Sequence, residues 1–147
     1  MEIAILGLGC FWGPEIKSGK LDGVVKTEVG YCGGNSSDTT YKEVCMGTTN
    51  HAEVVKLDFD PKIISYEKIL KFFFEIHDPT TLNSQGPDFG TQYRSEIFYL
   101  NDQQKEISEK VIKEENIKFS GKIATKTSLA KNYCPAEEYH QKYFDKR

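Results

Sequence analysis

Short apolar runs with a two-residue period alternate along this chain with segments of helical period, and that alternation leaves few folds open. Glu2 to Leu6 reads as a buried strand. The stretch 24–31 (VVKTEVGY) reads as a second, with Val25, Thr27, Val29 and Tyr31 on one face and Lys26 and Glu28 on the other. A third, 52–60 (AEVVKLDFD), is stopped by Asp60 and Pro61, and 95–100 (SEIFYL) and 123–130 (IATKTSLA) supply two more. Between them the helical segments are a short one after Pro14 that Gly19 ends and a turn at 41–47. A stronger helix starts at Ser65 as N-cap, with Tyr66, Ile69, Leu70 and Phe73 inward. A solvated helix over 101–116 carries Glu106–Lys110 and Glu109–Lys113 pairs, and a last helix over 135–146 has Pro135 in its first turn.

A sheet this small with helices between its strands packs most economically as an α+β fold. The expectation is a two-layer α/β sandwich with a mixed sheet and a ferredoxin-like βαβ core. With 147 residues, one domain over 1–147 is expected. The net charge of −3 offers no basic field to a phosphate backbone or an anionic bilayer, so neither nucleic acid nor membrane is an expected partner. No apolar run approaches the roughly 20 residues of a bilayer span, and the first strand begins without a signal-peptide core. The expected compartment is the cytoplasm, where thiols stay reduced. The four cysteines, Cys10, Cys32, Cys45 and Cys134, form no CxxC, so no metal site is expected and free thiols are the default.

Cys10 sits in GLGCFWGPE (7–15), between the first strand and the first helix and beside the only tryptophan, Trp12. A dinucleotide fingerprint is one reading of these glycines, but its third glycine would fall where Trp12 stands. A cysteine hydrolase is a second, with His51, His77 or His140 as base. A pure methionine-binding module is a non-enzymatic alternative. In the fourth reading Cys10 is a nucleophile toward sulfur: the helix N-terminus favours its thiolate, and Phe11 and Trp12 wall a slot for a methyl group on a polarizable sulfur. One feature favours this last reading. Glu53 shares the apolar face of its strand with Val55, Leu57 and Phe59, while Lys56 and Asp58 point away. Desolvation there keeps a carboxyl protonated near neutral pH, as a general acid requires.

Six stretches in register, GCFWG (9–13), GYCGG (30–34), TYKEVCMG (40–47), HAEVV (51–55), DFGTQYRS (88–95) and PAEEYHQKY (135–143), resemble peptide methionine sulfoxide reductases of the A type. The resemblance runs from near the first residue into the last predicted helix. It implies that Cys10 attacks the sulfoxide sulfur, Glu53 protonates its oxygen, and Tyr41 and Tyr93 hydrogen-bond that oxygen. Asp88 would orient the site, Phe11 and Trp12 would hold the substrate methyl, and Tyr143 would line the rim. The substrate it implies is the S epimer, free or in proteins, with no cofactor beyond an external thiol reductant.

Such chemistry leaves a sulfenic acid on Cys10. Many relatives resolve it with cysteines in a glycine-rich tail, whereas this sequence stops at FDKR. Cys134, before Pro135, and Cys32, in the YCGG turn, are the internal candidates; Cys45 reads as packing. Thioredoxin, or glutathione with glutaredoxin, would supply electrons, the latter by direct attack on the sulfenic acid.

Overall fold

The structure, a computed structural model, describes residues 1–144 and 146. In chain order its elements are β1 (Glu2–Leu8), α1 (Trp12–Ser18), β2 (Val24–Cys32), α2 (Tyr41–Cys45), β3 (Ala52–Phe59) and α3 (Tyr66–Glu75). There follow β4 (Ser84–Gln85), β5 (Asp88–Phe89), a 3-10 turn (Thr91–Tyr93), β6 (Ser95–Tyr99) and α4 (Asp102–Lys118). The chain closes with β7 (Lys126–Leu129), β8 (Cys134–Pro135) and a second 3-10 turn (Glu138–His140). One sheet runs β7-β6-β1-β3-β2-β8, and β4 and β5 form a separate hairpin. Every pairing in the main sheet is antiparallel except β6 with β7, so the sheet is mixed. Within it, β1-α1-β2-β3-α3-β6 gives the spatial order β6-β1-β3-β2, the ferredoxin-like arrangement.

Capping side chains set the helix starts: Ser65 accepts the Lys68 amide at 3.1 Å, Asn101 the Gln104 amide at 2.9 Å and Thr40 the Glu43 amide at 3.2 Å. Ile69, Leu70 and Phe73 of α3 and Val111 of α4 are fully buried with Leu57, Phe59 and Ile97 of the sheet. Each such side chain contributes roughly 1.5–3 kcal/mol of transfer free energy. The other sheet face carries a smaller cluster, Ile5, Cys32, Ala52, Val54 and Phe98, packed against Ile3, Ala130 and Tyr133. Helices therefore lie against one face, giving two layers.

Three expectations fail for local reasons. Val25 is 56% exposed because the β2–β3 register slips between Val24 and Lys26, and the bulge turns it outward. Lys110 reaches across to Glu67 of α3 at 2.8 Å rather than along α4 to Glu106. The helix expected over 135–146 does not form over 135–144; its position 145 lies outside the described residues. Pro135 is instead in an edge strand opposite Gly30, where its missing N–H costs no ladder bond, and Lys142 adopts a left-handed φ of 51°. The side chains explain why. The Gln141 amide brackets the N–H and C=O of Val29, each at 2.9 Å, and the buried Glu15 carboxylate accepts the Lys142 amide at 2.6 Å and the Thr27 hydroxyl at 2.9 Å. Bonds to distant elements thus replace the intrahelical ladder.

Candidate active site

In the antiparallel β1–β3 pair Leu6 faces Val55, so the chain leaves β1 level with the start of β3, where Glu53 stands. Gly9, at φ 95°, makes the turn that follows, in a conformation a side chain would strain; a Cβ there would also lie 2.8 Å from Gln85 of the β4–β5 hairpin. Cys10 thereby arrives beside Glu53: the next residue, Phe11, donates its amide to Glu53 Oε1 at 3.3 Å.

Glu53 is 1% exposed, its Oε2 is buried without a hydrogen-bond partner, and no ion pair among the described residues includes it. Burial lifts its carboxyl to about 8, against the smaller downward pull of the Phe11 amide and with help from the Asp88 charge. It is an uncharged acid at neutral pH. The sequence reading of its face holds, since Val55, Leu57 and Phe59 lie in the same helix-side cluster.

Cys10 departs from expectation. Burial pushes its thiol up to about 11, and Glu53, Asp88 and Cys45 add to that rise, while the Trp12 amide opposes it. The helix mouth does donate to the sulfur, but α1 is a seven-residue helix and desolvation outweighs it. The resting group is a thiol.

Around this pair the structure gathers the other expected residues. Asp88 comes from β5, opposite Gln85, and acts electrostatically on both Cys10 and Glu53. Tyr93 ends the first 3-10 turn; burial and the Glu53, Cys45 and Asp88 charges raise its hydroxyl to about 12, with a hydrogen bond from Tyr41 pulling the other way. Tyr41 opens α2, and burial and contact with Cys45 push its hydroxyl up as well. Both stay neutral donors at physiological pH. Phe11 is buried in the core, whereas Trp12 is half-buried. Tyr143 stacks on the indole with ring centroids 3.8 Å apart and planes 9° off parallel, although it reaches there from an irregular segment and not from a helix.

The histidines have other partners. His51 accepts the Gly34 amide at 3.0 Å and faces the Ser36 carbonyl at 2.6 Å; His77 lies between the Phe73 carbonyl at 2.6 Å and the Ser95 hydroxyl at 2.8 Å. His140 accepts the Trp12 indole N–H on Nδ1 at 3.1 Å, and burial lowers its pKa, keeping it neutral. Among the described residues no hydrogen bond joins a histidine to Cys10, as a hydrolase base would require.

A family model described as peptide methionine sulfoxide reductase matches residues 2–147. The chain belongs to this family. It is 80% identical over 147 residues, the whole of both chains, to the peptide methionine sulfoxide reductase MsrA of Pelagibacter ubique. It is 49% identical to MsrA of Methanococcus maripaludis, covering 99% of this chain and 93% of that one. The reduced form of Mxr1 from Saccharomyces cerevisiae superposes with a TM-score of 0.95 at 45% identity, covering 99% of this chain and 85% of that one. A complex of Mxr1 with Trx2 gives 0.70 at 30% identity, covering 97% and 84%. This reductase is an enzyme of thiol-dependent methionine sulfoxide reduction.

The reductase's thiols are distributed unequally. Cys32 faces Ala52 in register, on the sheet face opposite Glu53, and is 0% exposed. Cys134 shares Glu53's face but stands beyond Tyr31, which faces both of them, and is 9% exposed. Cys45, expected to pack, is exposed one turn after Tyr41 and acts on Cys10 electrostatically. A limiting dose of iodoacetamide at neutral pH should therefore label Cys45 before Cys10, Cys134 and Cys32, as read by peptide mass mapping. Sequence reading also missed Tyr31, Glu137 and the contact of His140 with Trp12. All depend on the path of residues 134–144, which a helical reading misplaces.

Proposed function

We propose that Cys10 attacks the sulfur of methionine S-sulfoxide while the Glu53 carboxyl protonates its oxygen. Tyr41 and Tyr93 donate hydrogen bonds to that oxygen, Asp88 orients the hairpin side of the pocket, and Phe11 and Trp12 hold the substrate methyl with Tyr143 backing the indole. Residues 1–147 act as one catalytic domain.

Protonation makes the sulfoxide sulfur electrophilic as the thiol gives up its proton. The oxygen passes to Cys10, whose sulfur is oxidised to a sulfenic acid as the substrate sulfur is reduced by two electrons to the thioether. The proton from the thiol replaces the one lent by Glu53, so atoms and charge balance. Neutral tyrosine donors add no charge to oppose the developing thiolate. The observation that carries this reading is the Glu53 carboxyl: uncharged, 1% exposed and with Oε2 lacking a partner, one residue's hydrogen bond from Cys10.

For recycling, we read the sulfenic acid as attacked directly by an external thiol, since Cys32 and Cys134 are both buried. Thioredoxin is the favoured donor, supported by the Mxr1–Trx2 complex, and a thiol-reducing cytoplasm is the compartment that fits. Incubation with the separated epimers of methionine sulfoxide and dithiothreitol should convert the S form to methionine and leave the R form. In one turnover without reductant, dimedone should trap Cys10; a Cys10–Cys134 disulfide in the peptide map would instead restore the internal route. Faster turnover with glutathione and glutaredoxin than with thioredoxin would overturn the choice of donor.

A further inference from the structure

Glu137 takes no part in the steps above, yet both of its carboxylate oxygens are committed. Oε2 accepts the backbone N–H of Tyr41 at 2.9 Å, and Oε1 accepts the hydroxyl of Tyr31 at 2.9 Å. Burial alone would push this carboxyl up; the amides of Tyr41 and Glu137 and the Tyr31 hydroxyl outweigh it and hold it below the usual range, so it is an anion at neutral pH.

The helix that Glu137 touches is weak by itself. α2 has five residues, and its N-cap Thr40 satisfies only the Glu43 amide. The Tyr41 amide, an orphan of the first turn, is paired by Glu137 from 96 positions away. The other oxygen leads to Tyr31, which is fully buried on β2 directly opposite Glu53 on β3. Glu137 thus ties the start of α2 to the strand pair that carries the acid.

We propose that Glu137 is a positioning residue: by bridging the Tyr41 amide and the Tyr31 hydroxyl, it fixes where the Tyr41 hydroxyl meets the sulfoxide oxygen relative to Glu53. This rests on the reading of Tyr41 as an oxygen donor. A hydrogen bond that strengthens in the transition state loses value when its donor drifts, so the loss falls on kcat and kcat/KM together and spares KM. Charge is not required. A glutamine at 137 can accept the Tyr41 N–H with its oxygen and donate its NH2 to the Tyr31 oxygen, preserving both contacts.

The test is a double-mutant cycle on the full-length enzyme with methionine S-sulfoxide and dithiothreitol, each variant checked by thermal melting. Glu137→Ala should lower kcat roughly 10- to 100-fold with KM little changed. Glu137→Gln should keep most of the activity. In a Tyr41→Phe background, Glu137→Ala should cost no more than about twofold further, because the hydroxyl it positions is gone. A full additional loss in that background overturns the proposal and leaves the role of Tyr41 standing. A Tyr41→Phe enzyme with undiminished kcat overturns the reading of Tyr41, and the proposal with it. If Glu137→Ala does not fold, Tyr31→Phe, which removes one of the two partners, takes its place in the same cycle; a smaller loss, again absent in the Tyr41→Phe background, is expected, and an additive one overturns the proposal.

Discussion

Glu53→Gln is expected to cost the enzyme at least roughly 10²- to 10⁴-fold in kcat, the range of general-acid contributions, while making the fold more stable. The amide keeps the acceptor for the Phe11 N–H but has no proton to give at the pH where the carboxyl does. The stability gain follows from linkage. Below about 4.5 the carboxyl is protonated folded or unfolded; between there and about 8 only the unfolded chain ionises it, so stability falls as pH rises; above about 8 both forms are ionised and the dependence ends. Removing the ionisable group removes that slope and should gain on the order of 3 kcal/mol at pH 7. Urea unfolding of both proteins at about pH 5 and pH 9 checks it: the two curves should lie closer at the acid end. A variant that loses activity without gaining stability at high pH would show that Glu53 is not strained by its burial.

Cys10→Ser should abolish turnover, by roughly 10⁴-fold or more, the scale seen when a nucleophile is removed. Binding should survive. Trp12 is the only tryptophan and stands two residues from Cys10, so a change in its fluorescence on adding substrate would report binding in the inactive variant. Burial pushes the Cys10 thiol up to about 11, so at neutral pH the group rests protonated. In the wild-type enzyme kcat/KM should accordingly hold through neutral pH and fall as pH passes about 8, where Glu53 loses its proton and, once charged, opposes ionisation of Cys10 further. Activity that instead climbs steadily to pH 10 would mean that deprotonation of Cys10, and not the acid, limits the rate.

The sequence was readable where one segment alone decides the outcome. Ser65 caps its helix as its position before an amphipathic run requires, and the period of β3 placed Glu53 on the apolar side without coordinates. It was unreadable where distant groups compete. Residues 135–146 carry a plausible helical pattern, but Gln141 on Val29 and Glu15 on Lys142 offer bonds that no local pattern records. The same blindness hid Glu137 and turned Cys45 from an exposed neighbour of Tyr41 into supposed packing. The acidity of Cys10 was misjudged because the helix terminus is visible in sequence, whereas the burial that overrides it is not.

Residues 134–144 join positions far apart in the chain: Trp12 bonds to His140, 128 positions on, and Val29 to Gln141, 112 positions on. During synthesis Trp12 and Val29 therefore emerge long before the partners that hold them. Closing such long loops costs entropy, and the surroundings of Trp12 depend on contacts that a nascent chain cannot yet make. Until residues 134–144 are made, Trp12 lacks both the His140 acceptor and the stacked Tyr143 ring.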